Sequence, residues 1–390
     1  VTDRLRAVVP RGLEAVAAKE IRSLGGGVGK TRSGRGVVSF EGPTDAYLRA
    51  NLHLRTVDRV LVVVGTADAR FEQELLDALA AAEWERWIRK GATVGVSSSA
   101  RGCRLFHTGL LDEIVRRALS ARGLGDGRPR GESTEARARD DEDRGDRATI
   151  DLRGTDDRWE FAIDTSGSSL HRRGYRKAVA KAPLRETIAA GILRVAGWSG
   201  DRDFLDPMCG AGTLVVEAGW VAANRAPGLS RRFAFEDFPT LDRARWSSLV
   251  EDAKARLDWK GLPGLEGSDR AGGAIRAARA NAKRAELTGR SRWVKRSMDD
   301  LPRFAPGSAP GLLVANPPYG KRVRADAPRG SDKERAAWAR WGDLVRARRP
   351  GWAAWMLAPH PEPAAAAGAR GRAALTVVHG GLSVGLHRIA

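Results

Sequence analysis

At 390 residues the chain is longer than one ordinary domain, and a hydrophobic fraction of 42% is enough for two or three cores. Two distant cysteines, Cys103 and Cys209, without histidines at ligand spacing argue against a disulfide framework or a zinc site, and no apolar run approaches the roughly 18 residues of a membrane span. Lys and Arg outnumber Asp and Glu 67 to 48, and the excess is one-sided: residues 1–165 hold 28 basic and 27 acidic side chains, residues 166–390 hold 39 and 21. A polyanion partner for the second part is the expectation. The N-terminus lacks a secretory pattern, so a cytoplasmic protein is expected.

In chain order, residues 4–9 alternate like a strand that Pro10 and Gly12 break, and 13–24 has helical periodicity that stops at Gly25-Gly26-Gly27. A strand at 36–40, a helix over 44–54 with Thr44 as its cap, and the apolar run 57–64 follow. A helix at 72–82, the Trp84–Ile88 stretch, a strand at 92–98 and a helix at 110–121 come next. This alternation predicts small α+β units instead of one large sheet. Residues 126–147, mixed in charge with almost nothing to bury, read as a solvated surface loop, with RNA contact as the alternative. Strands at 148–153 and 159–164 close the unit. The run from Arg172 to Arg176 then places Arg172, Arg173, Tyr175 and Arg176 in a basic, aromatic connector. Composition alone leaves open a charged linker or a phosphate-contacting segment, since arginine pairs bidentately with phosphate and tyrosine can stack.

Pro183 starts the next helix, over 184–196. A strand then ends at Asp206, Gly210 and Gly212 form a tight turn, and a helix begins at Thr213. Glycines let a ligand approach the backbone and the helix start adds N–H donors, so this strand–turn–helix passage points to a nucleoside-type cofactor. Asp269 ends a short strand at 265–268 ahead of a helix at 274–285, where it can accept from ribose hydroxyls, cap the helix, or do both. The segment 223–262 is an insertion rich in Trp, Arg and Phe. Further strands are expected at 293–297, 312–315 and 352–358, with a closing hairpin of 375–379 and 382–387 around Gly380-Gly381.

The apolar run Leu312–Ala315 ends in Asn316-Pro317-Pro318-Tyr319. That is the pattern of a buried parallel strand delivering a rigid turn to the carboxyl edge of a sheet. The Asn316 side-chain carbonyl and the Pro317 backbone carbonyl can accept from a planar amino group, and Tyr319 offers a face for a base. In isolation such a turn more often merely closes a strand; the glycine turn upstream tips the reading toward a seat for a nucleobase amino group. Lys321 and Arg322 directly after it are the stronger candidates for phosphate contact.

Taken together, Asp206 to Glu217, Asp269 and Asn316 to Tyr319 resemble a class I S-adenosylmethionine-dependent amino-methyltransferase. Adding Ser166-Gly167, Leu170 to Arg176, Ala182 to Thr187 and Pro10 to Glu14, the chain is similar to the bacterial THUMP-domain RNA guanine-N2 methyltransferases of large-subunit ribosomal RNA. The resemblance implies a ferredoxin-like domain over 1–65, a THUMP RNA-binding domain over 66–163 and a basic connector over 164–182. A seven-stranded Rossmann-like α/β methyltransferase domain would occupy 183–390. It implies that Asp206, Gly210 and Gly212 line the methionine side of S-adenosylmethionine and that Asp269 binds its ribose. Asn316, Pro317 and Tyr319 would hold a flipped guanine. Many relatives carry an Asp where Ser297 stands, so Asp299 is the substitute expected at the adenine. The implied partner is ribosomal RNA, with tRNA as the alternative; composition predicts no metal and no membrane, and a monomer is one state that the sequence leaves open. A non-catalytic RNA-binding assembly factor is the reading from another class.

Overall fold

The computed structural model describes residues 2–125, 147–177, 184–303, 309–317 and 332–390. It divides into two compact units that do not follow chain order. The first holds Val1–Val9, Ala18–Leu170 and Ser230–Asp252; the second holds Pro10–Ala17, His171–Leu229 and Ala253–Ala390.

The first unit contains strands β1 (Thr2–Val8), β2 (Thr31–Gly34), β3 (Val37–Pro43), β4 (Arg59–Asp68), β5 (Thr93–Arg101), β6 (Arg147–Thr155) and β7 (Arg158–Asp164). They form one sheet in the order β2-β3-β1-β4-β7-β6-β5, not the separate small units that the alternation of elements suggests. The reason is the length of β4. Its first half pairs antiparallel with β1, from Val8↔Arg59 to Arg4↔Val63, while most of its ten residues pair with β7, from Leu61↔Asp164 to Asp68↔Arg158. The register shifts between Val63 and Gly65, and a Cβ on Gly65 would lie 2.3 Å from the Phe161 ring. The chain must be bare there for the aromatic to pack. Strand β2 escapes sequence reasoning because its four residues are largely exposed and carry no apolar alternation.

Helix α1 (Glu14–Arg22) crosses the unit boundary after Ala17, and helices α2 (Ala46–His53), α3 (Glu72–Ala80) and α4 (Thr108–Ser120) accompany these strands. Asp45, not Thr44, occupies the cap position of α2, and its side chain makes no capping bond. The inserted segment 230–252 belongs to this unit through aromatic packing. Phe235 meets Tyr47 at 5.5 Å, Phe238 meets Trp87 at 5.5 Å, and Arg245 bonds Asp45 at 2.8 Å.

The second unit is built on β8 (Phe204–Asp206), β9 (Leu265–Asp269), β10 (Arg292–Lys295), β11 (Leu312–Ala315), β12 (Ala353–Ala358), β13 (Leu375–His379) and β14 (Leu382–Arg388). The order is β10-β9-β8-β11-β12-β14-β13. Strands β8 to β12 run parallel, and β14 inserts antiparallel between β12 and β13. This is the seven-stranded Rossmann-like sheet expected from the sequence. Helices α5 (Glu186–Val195), α6 (Thr213–Ala222), α7 (Arg243–Ala255), α8 (Gly272–Arg284), α9 (Asp332–Arg348) and α10 (Pro361–Ala366) complete the described elements, α7 crossing the unit boundary.

All four residues of β11 are fully buried, Leu312 and Val314 in one apolar cluster and Leu313 and Ala315 in another. A strand covered on both faces has no polar face to offer, which is why it reads as a continuous apolar run. The Pro10–Leu13 segment is part of this unit's packing. Val378 N–H donates to Arg11 O at 3.1 Å, a Cβ on Gly12 would stand 1.8 Å from Thr376 O, and Leu13 is fully buried beside Ile188 and Ile192. Burial of that leucine contributes on the order of 2 kcal/mol.

Candidate active site

Chain order in the second sheet reverses direction between β8 and β11. Strands β8, β9 and β10 follow one another to one side, β11 and β12 to the other. Such a switch point opens a crevice at the carboxyl ends of the strands, where open α/β sheets bind ligands. The register places Asp206 level with Gly267, two residues before Asp269, and pairs Leu313 of β11 with Leu205 of β8. Asp206, Asp269 and Asn316 therefore come from the ends of three neighbouring strands.

The turn after β8 is held by its own backbone and by its neighbours. Asp206 Oδ1 accepts the Met208 N–H at 3.0 Å, and Cys209 N–H donates to Ser268 O at 2.9 Å. Asp269 accepts from Gly210 N at 3.1 Å through Oδ2 and from Ala271 N at 2.8 Å through Oδ1. It thus fastens both the glycine turn and the entry to α8.

The two glycines have different reasons. Gly212, at φ 86°, caps α6 and donates its N–H to Cys209 O at 2.8 Å; a Cβ there would stand 2.6 Å from the Trp293 ring. Gly267 on β9 is under the same indole, also at 2.6 Å. A Cβ on Gly210, by contrast, would meet nothing within 4 Å. Gly210 is the one with open space, as ligand approach requires, while Gly212 is fixed by packing against Trp293.

Sequence reasoning missed Asn281. It is fully buried on α8 and donates through Nδ2 to Ala211 O at 3.0 Å, between the two glycines. The signal was available, because Asn281 shares the apolar face of Ile275, Ala278 and Ala282, and a buried amide there needs a hydrogen-bond partner.

Burial dominates the electrostatics. Asp206 is 1% exposed, and desolvation pushes its carboxyl up to about 8, reinforced by the Asp269 charge and opposed by the Met208 N–H. Burial and the same two carboxylates hold the Cys209 thiol well above its ordinary value. Asn316 is half-buried, and among the described residues its buried Oδ1 has no hydrogen-bond partner. Pro317, next to it, is buried. Tyr319, Lys321, Arg322 and Pro318 lie outside the described residues, as do Pro183 and residues 126–146 of the charged loop.

Within the connector, Arg173 and Tyr175 do not form the phosphate-contacting surface that composition allows. The side chains of Arg173 and Glu217 are fully buried and 2.9 Å apart, and the buried Tyr175 donates its hydroxyl to Glu217 at 3.0 Å while packing edge-on against Trp220. Arg176 bonds Leu184 O at 2.8 Å and pairs with Glu186 at 3.1 Å. Burial lifts the Glu186 carboxyl to about 7 against the pull of Arg176. Arg173 and Tyr175 are thus withdrawn from any RNA, because Glu217 on α6 demands a buried counter-charge; Arg172 is half-buried and also makes contacts within the protein. Asp299 is exposed and pairs with the exposed Arg340 at 3.1 Å, while the Ser297 hydroxyl accepts the Asp299 N–H at 3.4 Å. Neither is brought into the hydrogen-bonded turn around Asp206 and Asp269.

Comparison with known proteins agrees with this geometry. The chain is 32% identical over 387 residues to the "Putative RNA methyltransferase slr0064" of Synechocystis sp., covering 96% of this chain and 94% of that one. It is 34% identical to the ribosomal RNA large subunit methyltransferase K/L of Syntrophotalea carbinolica, covering 96% of this chain but 52% of the relative, so it spans about half the length of that protein. The crystal structure of SMU.472 complexed with SAH superposes at a TM-score of 0.83 with 29% identity, over 99% of this chain and 97% of the other. A model of the RlmL ferredoxin-like domain matches residues 4–61. The cofactor is S-adenosylmethionine, and the open side of Gly210 beside the buried Asp206 suits such a group. With a second family model matching residues 173–387, the chain belongs to the UPF0020 family, described as RMKL-like, methyltransferase domain.

Proposed function

We propose that the protein transfers a methyl group from S-adenosylmethionine to the exocyclic N2 of a guanine in large-subunit ribosomal RNA. The observation that carries this reading is the buried Asn316 Oδ1, which has no partner among the described residues. An acceptor held out of water without a donor is costly unless a ligand N–H completes it. Asn316 Oδ1 and the Pro317 carbonyl would take the two protons of an amino group. That would draw the nitrogen lone pair out of conjugation with the ring. S-Adenosylmethionine, when bound, would supply an electrophilic methyl whose bond to sulfur breaks as the N–C bond forms, leaving S-adenosylhomocysteine, and the methylated nitrogen would lose one of its two protons to solvent. Asp206 and Gly210 would flank its methionine part and Asp269 its ribose, with Tyr319 stacking on the base. Positioning and electrostatics, not a strong base, would supply the rate.

Ribosomal RNA is favoured as substrate by the relatives named large-subunit methyltransferases K/L. Residues 66–163 would serve as a THUMP-type RNA-binding region in the first unit, and the work would take place in the cytoplasm. The test is incubation with labelled S-adenosylmethionine and, separately, unmodified large-subunit rRNA, tRNA and DNA, followed by nucleoside mass spectrometry. N2-Methylguanosine in rRNA alone is the expected product. Product only in tRNA, or methyladenine in DNA, would replace the reading.

A further inference from the structure

The basic excess of the second part has to be exposed somewhere, and within the connector Arg173 is buried. Residues 270–296 contain nine Lys or Arg and a single acid, Glu286. On α8, Arg276, Arg279 and Lys283 recur at i, i+3 and i+7, all exposed, on the face that flanks the buried Ile275, Ala278 and Ala282. The stripe continues onto Lys295 at the end of β10. Arg276 Nη1 and the Lys295 side-chain carbons lie 3.7 Å and 3.8 Å from where a Cβ on Gly272 would stand, so these two cations share one spot. Arg276, Lys283 and Lys295 make no ion pair or hydrogen bond with the described residues.

Two ordinary explanations account for only part of this face. Strand β10 is the sheet's edge, and an edge lysine discourages pairing with another chain, but that covers Lys295 and not the helix. A solvated helix usually intersperses acids at i+3 or i+4. Helix α8 has none, so its cations repel one another at those spacings. A polyanion lying along the face would relieve that repulsion.

We infer that the exposed face of α8, with Lys295 at the end of β10, is a docking surface for the phosphate backbone of the substrate RNA. The inference rests on the RNA methyltransferase reading above. Each cation that neutralises a phosphate releases counterions, so the surface should show itself in the salt dependence of binding.

The test compares the full chain with its Arg276→Gln/Lys283→Gln/Lys295→Gln variant on an unmodified large-subunit rRNA transcript between 50 and 200 mM KCl. Loss of three phosphate contacts should lower the slope of log affinity against log salt by about 2.1 to 2.7, so that the wild type loses roughly 20- to 40-fold more affinity than the variant across that range. S-Adenosylmethionine affinity and melting temperature should stay as in the wild type. Equal RNA affinity and equal slope would overturn the docking surface while leaving the methyltransferase reading intact. A parallel loss of cofactor affinity or of stability would also overturn it, by tracing the effect to the fold. Failure of the wild type itself to bind the transcript would sink the RNA reading and this inference with it.

Discussion

Asp206→Asn should remove the pH dependence of S-adenosylmethionine binding. Burial pushes the wild-type carboxyl up to about 8, so at pH 7 about a tenth of the apoprotein should carry the charge there. A neutral carboxyl offers a cationic ligand little, whereas a carboxylate out of water attracts it strongly, so the ionised form is the binding-competent one. Apparent affinity scales with its population. The dissociation constant should therefore fall about ninefold from pH 6 to 7, about fivefold from 7 to 8 and less than twofold from 8 to 9. At pH 7 the deficit is about 1.4 kcal/mol, and binding should release about 0.9 proton. Titration calorimetry in two buffers of different ionisation enthalpy measures both quantities. The sign for stability is the opposite. The folded-state value lies above the 3.8 of the ordinary carboxyl, so this group's contribution is full below about pH 4 and is lost as pH rises through about 8. The apoprotein should thus lose about 1.3 kcal/mol of stability from pH 6 to 7, about 1 from 7 to 8 and about 0.4 from 8 to 9, as it gains cofactor affinity. A wild-type affinity flat from pH 6 to 9, with no proton released, would refute the reasoning.

Four further outcomes follow from the same geometry. Gly212→Ala forces a Cβ into the Trp293 indole at positive φ and should cost more than about 2 kcal/mol in denaturant unfolding. Gly210→Ala should cost only about 1 kcal/mol for its φ of 51° and show itself in cofactor affinity; equal destabilisation by the two would contradict the division between them. Asn316→Ala should lower methyl transfer by a factor of about 10² or more while leaving cofactor affinity within about twofold, and loss of both together would argue for a structural role. Arg173→Met strands a buried Glu217 and should cost about 3–5 kcal/mol, much of it recovered in Arg173→Met/Glu217→Met; full stability of the single variant would reject the buried pair.

The sheet around the site was legible because its central strands are short apolar runs stopped abruptly by candidate site residues, at Asp206-Pro207 and Asn316-Pro317. A covered parallel strand leaves that signature whatever surrounds it. The fate of the connector was not legible. An Arg-Gly-Tyr-Arg run has the same composition whether water or Glu217 satisfies it, and Glu217 is more than forty residues away in the sequence. The same holds for the insertion. Phe235 and Phe238 declare that they will be buried, but only the fold names Tyr47 and Trp87 as their neighbours. Glycine spacing likewise marks a tight turn without saying that one glycine leaves open space and the other packs beneath an indole.

Strand β4 also governs how the first unit can come apart. With β1 bonded along one side and β7 along the other, it is the seam through which every other strand of that sheet is connected. Cleavage near residue 65 would not free a small module; it would leave raw strand edges on both fragments, each a template for aggregation. Amide protons of Leu61 to Val63 should accordingly exchange only when the whole sheet opens, making this strand the slowest-exchanging element of the unit.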